Sequence, residues 1–207
     1  MKFQKQIGPF LITANCAQQF SKQAEALLKK LAELNEKGPA LRDGTVIRFG
    51  WSDLKLIQHD EELVVYEPDF SKNPFEDYVA DVTSTIQVLV EQTNLLHHIH
   101  IEGIACIYSD RIILAKGALD VEEIYLQRSA STPKNNSGWY IGKTRDDNKK
   151  EKEIQDYESR YGFEVFQIRP SLMKCLVLPV GFLVLMNGNR IESIVDVDNN
   201  NVLNPIS

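Results

Sequence analysis

Asp81–Leu96, DVTSTIQVLVEQTNLL, is the stretch whose reading decides the fold. Its β-branched residues Val82, Thr83, Thr85, Ile86, Val88 and Val90 favour a strand. Val82, Ile86, Leu89, Thr93 and Leu96 nevertheless share one helical stripe, and the run is far longer than a usual strand of about 5–6 residues. The spacing predicts a helix.

Upstream, Pro9–Ala14 reads as a short strand, followed by a helix with Ser21 as its cap and Ala24, Leu27, Leu28, Leu31 and Leu34 on one face. Gly38-Pro39 closes that helix. Thr45–Trp51, Asp53–Ile57 and Glu62–Glu67 read as strands, and Pro68–Tyr78 as a polar loop. Downstream, Ile104–Tyr108 and Arg111–Ala115 bracket Ser109-Asp110 as a hairpin would, and Glu123–Gln127 is a further strand. The polar run Ser129–Ser137 marks a boundary between a domain over 1–130 and one over 131–207. Beyond it Gly138–Ile141, Phe163–Ile168, Lys174–Leu178, Phe182–Met186 and Arg190–Asp196 read as strands, with turns at Pro179–Gly181 and Asn187–Asn189. Asp146–Tyr161, rich in charge, reads as an exposed helix or loop. The sum is α+β: mixed or antiparallel sheets, two main helices in the N-terminal part, and a small, mostly β C-terminal domain.

The 207 residues are 43% hydrophobic and 25% charged, a globular composition with material for a real core. A net charge of −6 argues against a general binder of nucleic acid or anionic membranes. Met1–Gln6 carries Lys2 and Lys5 with no apolar stretch behind them, unlike a secretory signal. The longest apolar run, Leu176–Met186, contains Pro179 and Gly181 and is shorter than the roughly 20 residues of a membrane helix. Cys16, Cys106 and Cys175 are scattered and read as reduced core thiols. The expectation is a cytoplasmic protein.

Motifs that could carry chemistry each fall short. Ser137–Thr144 ends in Gly-Lys-Thr like a phosphate loop, but Trp139-Tyr140-Ile141 is bulky and strand-prone, and a strand ending in a glycine turn is expected. His97, His98 and His100 lack a third and fourth metal ligand nearby and fit the end of a helix. Asp196-Val-Asp198-Asn-Asn200 opens like a calcium loop, yet Asn201 and Ser207 stand where glycine and glutamate belong, so a polar turn is expected. There is no Gly-x-Ser-x-Gly, and pairs such as Glu122-Glu123 and Asp146-Asp147 point apart on a strand. No catalytic residue, metal or cofactor is indicated.

Charge placement says more. Asp60, Glu61, Glu62, Glu67, Asp69, Glu76, Asp77 and Asp81 face a single base, Lys72, a net of −7 that leaves the remainder of the chain at +1. With Tyr66, Phe70, Phe75 and Tyr78 interleaved, the segment suits either a solvated loop or an acidic face for a basic partner.

Ser137-Gly-Trp139-Tyr-Ile-Gly142, Arg169-Pro170-x-Leu172 and Leu176-x-Leu178-Pro179-x-Gly181 together resemble the Imm33-like family over residues 131–207. Arg42-Asp-Gly-Thr and Phe49-Gly-Trp look like the upstream region of longer relatives, and Asn136 stands where the family usually shows Asp. The resemblance implies a small α+β domain with a characteristic tryptophan, here Trp139, which is either a packing anchor or a contact residue. It also implies an immunity protein of a bacterial polymorphic toxin system, one that binds a cognate protein toxin tightly and performs no catalysis. A basic nuclease would suit the acidic segment. The competing readings are a small hydrolase or ligand-binding enzyme using the N-terminal domain, marked by a deep pocket, and a weakly binding adaptor.

Overall fold

The structure is a computed structural model and describes residues 1–130, 133, 135–145 and 153–203. It divides into two compact units, Met1–Val90 and Glu91–Ser207.

The first unit opens with β1 (Lys2–Ile7) and β2 (Phe10–Asn15), an antiparallel pair turned at Gly8. The polar, lysine-bearing β1 carries little strand signal of its own; its ladder with β2 supplies it. A 3-10 turn, Gln18–Phe20, leads into α1 (Ser21–Lys37), so Ser21 is the first helical residue and not the cap. Its inner face is Ala24, Leu27, Leu28 and Leu31, and Leu34 stays outside. Then come β3 (Val46–Phe49), β4 (Ser52–His59), β5 (Glu62–Pro68) and the two-residue β6 (Tyr78–Val79). The sheet order is β1-β2-β5-β4-β3, with β6 on β5, and only the β2–β5 pair is parallel. Ile12, Leu27, Leu31, Leu54, Leu56, Leu63 and Val65 are the centre of its core.

The deciding stretch is a helix, α2 (Thr83–Ile99), which runs across the boundary between the units. Two carboxylates overcome its β-branched composition at the start, where free N–H groups need acceptors. Asp81 accepts from Thr83 N–H at 2.8 Å, and Glu67 accepts from Ser84 and Thr85. Val82 and Ile86 belong to the first core, while Thr93 is exposed and the buried line continues through Gln92, Leu95 and Ile99.

The second unit contains β7 (Arg111–Ala115), β8 (Glu123–Arg128), β9 (Asn136–Lys143), β10 (Tyr157–Tyr161), α3 (Gly162–Ile168), β11 (Leu183–Asn187) and β12 (Arg190–Val195). Its sheet order is β10-β7-β9-β8-β11-β12, with β7–β9 parallel and the rest antiparallel. The α+β reading holds, with both long helices starting in the N-terminal part and a mostly β remainder. Residues 130 and 131, the boundary read from composition, fall inside this unit, in the connection between the paired strands β8 and β9.

Four local readings change. Ile104–Tyr108 does not pair with β7, whose two edges are taken by β9 and β10; it ends in a turn, with Asp110 N–H on the Ile107 carbonyl at 2.9 Å. Phe163–Ile168 is helical because the Glu164 carboxylate accepts Tyr161 N–H at 2.7 Å, while Gly162 and Phe163 donate to Asp110 and Tyr108 carbonyls. Lys174–Leu178 is not a strand but a chain of buried tight turns, among them Cys175 N–H to Leu172 O and Leu178 N–H to Cys175 O. Of Asp146–Tyr161, residues 146–152 lie outside the described residues, Ile154–Asp156 is a 3-10 turn, and Tyr157–Tyr161 is the edge strand β10.

Candidate functional site

The acids of the 60–81 segment do not form one face. Asp60 and Glu61 occupy the turn before β5, both exposed, and Glu62 begins the strand. Asp69, Glu76 and Asp77 lie beyond its other end, about 20 Å away by the rise of an extended chain. Glu62 is tied down: its carboxylate accepts from the Thr13 hydroxyl, from Gln4 at 3.1 Å and pairs with Lys2 at 2.9 Å. The Thr13 hydroxyl first, then Lys2, hold it below its ordinary range. Asp69 is lowered likewise, first by the Ser71 hydroxyl at 2.5 Å and then by Lys72 at 3.1 Å. Asp77 accepts Asn73 N–H at 3.2 Å, which leaves Asp60, Glu61 and Glu76 as the acids turned to solvent.

Glu67 is inside the fold, 2% exposed, and burial pushes its carboxyl up to about 7 despite hydrogen bonds from Ser84 and Thr85. Its role is to hold the start of α2, and it offers no surface to a partner. Phe70 is buried too, stacked on Trp51 with centroids 4.5 Å apart. Phe75 is 44% exposed, beside Glu76. Tyr66 bonds His59 at 2.9 Å, and Lys55 lies over the Tyr78 ring at 4.9 Å.

Trp139 is 1% exposed, and its indole donates to the Leu176 carbonyl at 3.0 Å. The packing-anchor reading is the one this position fits. Around it the motif is a backbone device. Asn136 Oδ1 accepts Gly138 N–H at 2.8 Å, Gly138 takes a φ of +79°, and Ser137 Oγ donates to Arg111 O while accepting Trp139 N–H. An acceptor is all position 136 needs, so Asn serves where a carboxylate would. Arg128 donates to carbonyls of Ser137 (3.1 Å), Ile104 (2.7 Å) and Leu178 (2.7 Å), and Arg169 to those of Val121 (2.7 Å), Glu122 (3.1 Å) and Gly188. Burial lowers both guanidinium groups' proton affinity. The closing-signature arginine is therefore a clamp on backbone.

The phosphate-loop look-alike is strand β9, and His97 and His98 are exposed in the last turn of α2 with His100 just past it at φ +57°. Asp196 closes a polar turn by accepting N–H groups of Asp198 (2.9 Å) and Asn200 (2.8 Å); Ser207 lies outside the described residues, as do Asp146 and Asp147. Burial raises all three thiols, Cys106 and Cys175 to about 12, which removes the thiolate a nucleophile needs. Among the described residues no group of three or more His, Cys, Asp and Glu is placed to hold a metal, and no helix is long and apolar enough to cross a membrane.

Sequence patterning alone does not reveal the outward face of the second sheet. Ile112, Leu114, Ile124, Leu126, Trp139, Ile141, Val184, Met186 and Ile194 alternate inward and are buried. The register aligns Ser159, Ile113, Tyr140, Gln127, Leu183 and Val195 across the other face. The next row is Gly142, Tyr125, Leu185 and Ser193, with Tyr157 opposite Ala115. The Tyr125 ring lies over Gly142, where any Cβ would meet it, and meets Tyr140 at 5.8 Å; Tyr140 meets Tyr157 at 6.0 Å. Alternation of Tyr125 and Tyr140 with buried neighbours was visible in the chain, but their adjacency depends on register.

A family model described as Imm33-like domain matches residues 91–197, which takes in all of β7–β12. Neither the curated proteins nor the solved structures contain a match to the chain.

Proposed function

The chain belongs to the Imm33-like domain family, and on that premise we propose that it is a bacterial immunity protein that neutralises a cognate protein toxin by tight binding, without catalysis. The observation that carries this is the match itself, which covers the whole sheet of the second unit. The architecture supports it physically. Neutralisation by binding rewards a surface that is already formed, and here Trp139 and Arg128 fix β9 through buried hydrogen bonds while Arg169 clamps the chain before β8 to the β11–β12 turn. The exposed acids Asp60, Glu61 and Glu76 suit a basic toxin such as a nuclease, whose approach they would accelerate in the cytoplasm. A hydrolase reading of the first unit finds no support in these groups, since they sit at opposite ends of β5 and the buried carboxylate, Glu67, is engaged by α2.

The test is capture from the native cell lysate with the full chain as bait, washed at low and then high salt, followed by expression of each captured protein alone and with this chain. A stoichiometric partner that is toxic alone and harmless in co-expression is the expected result. Affinity should be nanomolar or better, on the order of −12 kcal/mol. A partner without toxicity, or micromolar binding, would leave the adaptor reading in its place.

A further inference from the structure

We infer that the uncharged, tyrosine-bearing outward face of the second unit's sheet is where the toxin docks; this rests on the immunity reading above. Across all six strands, the row Ser159, Ile113, Tyr140, Gln127, Leu183 and Val195 contains no ionisable carboxylate, lysine or arginine. Neither does the row of Gly142, Tyr125, Leu185 and Ser193, nor the Tyr157–Ala115 pair beside it. In a chain that is 25% charged, a span of this width without charge has the composition of an interface centre, where charged residues are depleted and tyrosine is enriched.

The chemistry of the face selects its occupant. A single-stranded nucleic acid also stacks on aromatic rings, but it needs a cationic groove along its backbone. Here Arg111 stands at one corner, engaged with Tyr161, 3.7 Å from the ring centroid and 2.8 Å from its hydroxyl. At the opposite end Arg145 is paired with Glu123 at 3.0 Å and Arg190 lies in the same row through Asn187, so the cations stand at the strand ends and not along the middle rows. An uncharged centre with phenol groups and aliphatic neighbours Ile113, Leu183 and Leu185 is complementary to a protein surface that is itself uncharged at its centre. Such a surface presents aliphatic side chains and main-chain polar groups.

Size permits it. Six strands about 4.8 Å apart, each about 17–20 Å long, give a face of roughly 500 Å², the larger part of the ~800 Å² per partner of a stable complex, with the bordering loops left to supply the rest. Geometry agrees as well. Tyr140 is braced edge-on by Tyr125 and at a tilt by Tyr157, and Gly142 gives the Tyr125 ring its seat, so the rings lose little freedom on binding. Every residue of the face lies within 91–197, the part of the chain the family shares, whereas the acids of 60–81 lie outside it.

The test places a photoreactive benzoyl-phenylalanine at 125, 140 or 157 in the full chain, and in parallel at 61 and 76, and irradiates it with the captured toxic protein. Crosslinks from the sheet positions are expected. The variant Tyr125→Ser/Tyr140→Ser/Tyr157→Ser should retain its unfolding transition, bind that protein about 100-fold or more weaker, and fail to protect cells. Should the triple variant unfold, Tyr140→Lys alone provides the same comparison. Crosslinks from 61 and 76 only, undiminished protection by the variants, a crosslinked dimer of this chain, or tyrosine-dependent binding of a dT20 oligonucleotide each overturns the docking face. A wild-type chain that protects against no captured protein overturns the immunity reading itself, so the two failures are distinguishable.

Discussion

The Glu67 carboxylate accepts the backbone N–H of Thr85 at 2.7 Å, so a side chain from the middle strand of one sheet fixes where α2 begins. The bond is buried, and desolvation raises the carboxyl from its ordinary 4.5 to about 7.

That shift gives stability a pH dependence of definite sign. A carboxyl raised in the folded state contributes its full share below 4.5 and loses it as pH rises through about 7. The stability of the wild type minus that of Glu67→Gln should therefore fall between pH 4.5 and 8, by on the order of 3 kcal/mol at most. Glu62, Asp69 and Asp196 are lowered and act in the opposite direction, so the difference between the two proteins in urea titrations is the quantity to measure. A difference that does not change with pH would show that Glu67 keeps its solvent pKa.

Arg128→Met leaves the carbonyls of Ser137, Ile104 and Leu178 without their donor in a buried setting. The expected cost is about 3–5 kcal/mol in chemical denaturation. Arg128→Lys, with a single ammonium reaching fewer of those oxygens, should recover only part of it.

Trp139→Phe removes the hydrogen bond to Leu176 and some of a fully buried ring. A loss of about 2–4 kcal/mol is expected from unfolding monitored by the fluorescence of Trp51 or by circular dichroism. A neutral substitution would contradict its place as the anchor of β9.

Much of the fold was legible because local signals and burial agreed. α1 follows its leucines, and Asn187–Asn189 turns β11 into β12 with Gly188 at φ +56°. Two of the failures share one cause, which is that short apolar runs do not disclose their partners. Phe163–Ile168 has strand composition, yet Asp110 and Tyr108 offer carbonyls to a helix start there. Cys175–Leu178 is apolar because it is buried, and the turns around it satisfy their own backbone. The candidate acids were adjacent in sequence, but an intervening strand carries them apart, and its alternation turns Glu67 inward. The tyrosine face was hidden because it is assembled from residues as distant as Tyr125 and Tyr157.

Position 136 separates charge from hydrogen bonding. Asn136→Asp keeps the acceptor for Gly138 N–H and should change stability by less than about 0.5 kcal/mol, whereas Asn136→Ala should cost about 1 kcal/mol. Thermal unfolding of the pair decides it; a penalty for Asp equal to that for Ala would assign the amide a donor role.

Charge reversal should act at each end of β5 independently. The ends are about 20 Å apart, beyond a Debye length of about 8 Å at physiological salt. Asp60→Lys/Glu61→Lys and Glu76→Lys should each slow association with the toxin by about three- to tenfold and flatten its salt dependence, with effects that multiply when combined. Stopped-flow association rates measure this. Unchanged kinetics would remove the steering role while leaving docking intact.

The parallel partnership of β7 with β9 makes the shared domain indivisible. β9 is flanked by β7 and β8, both of which precede residue 131, while β10, β11 and β12 follow it. A fragment starting at 131 would lose two interior strands at once and leave β9 with two bare edges, open to any extended chain it meets. Loops and strand ends can change length without touching this pairing, but losing the chain before residue 131 dismantles the sheet, so the surface a partner meets is carried on an unbroken six-stranded frame.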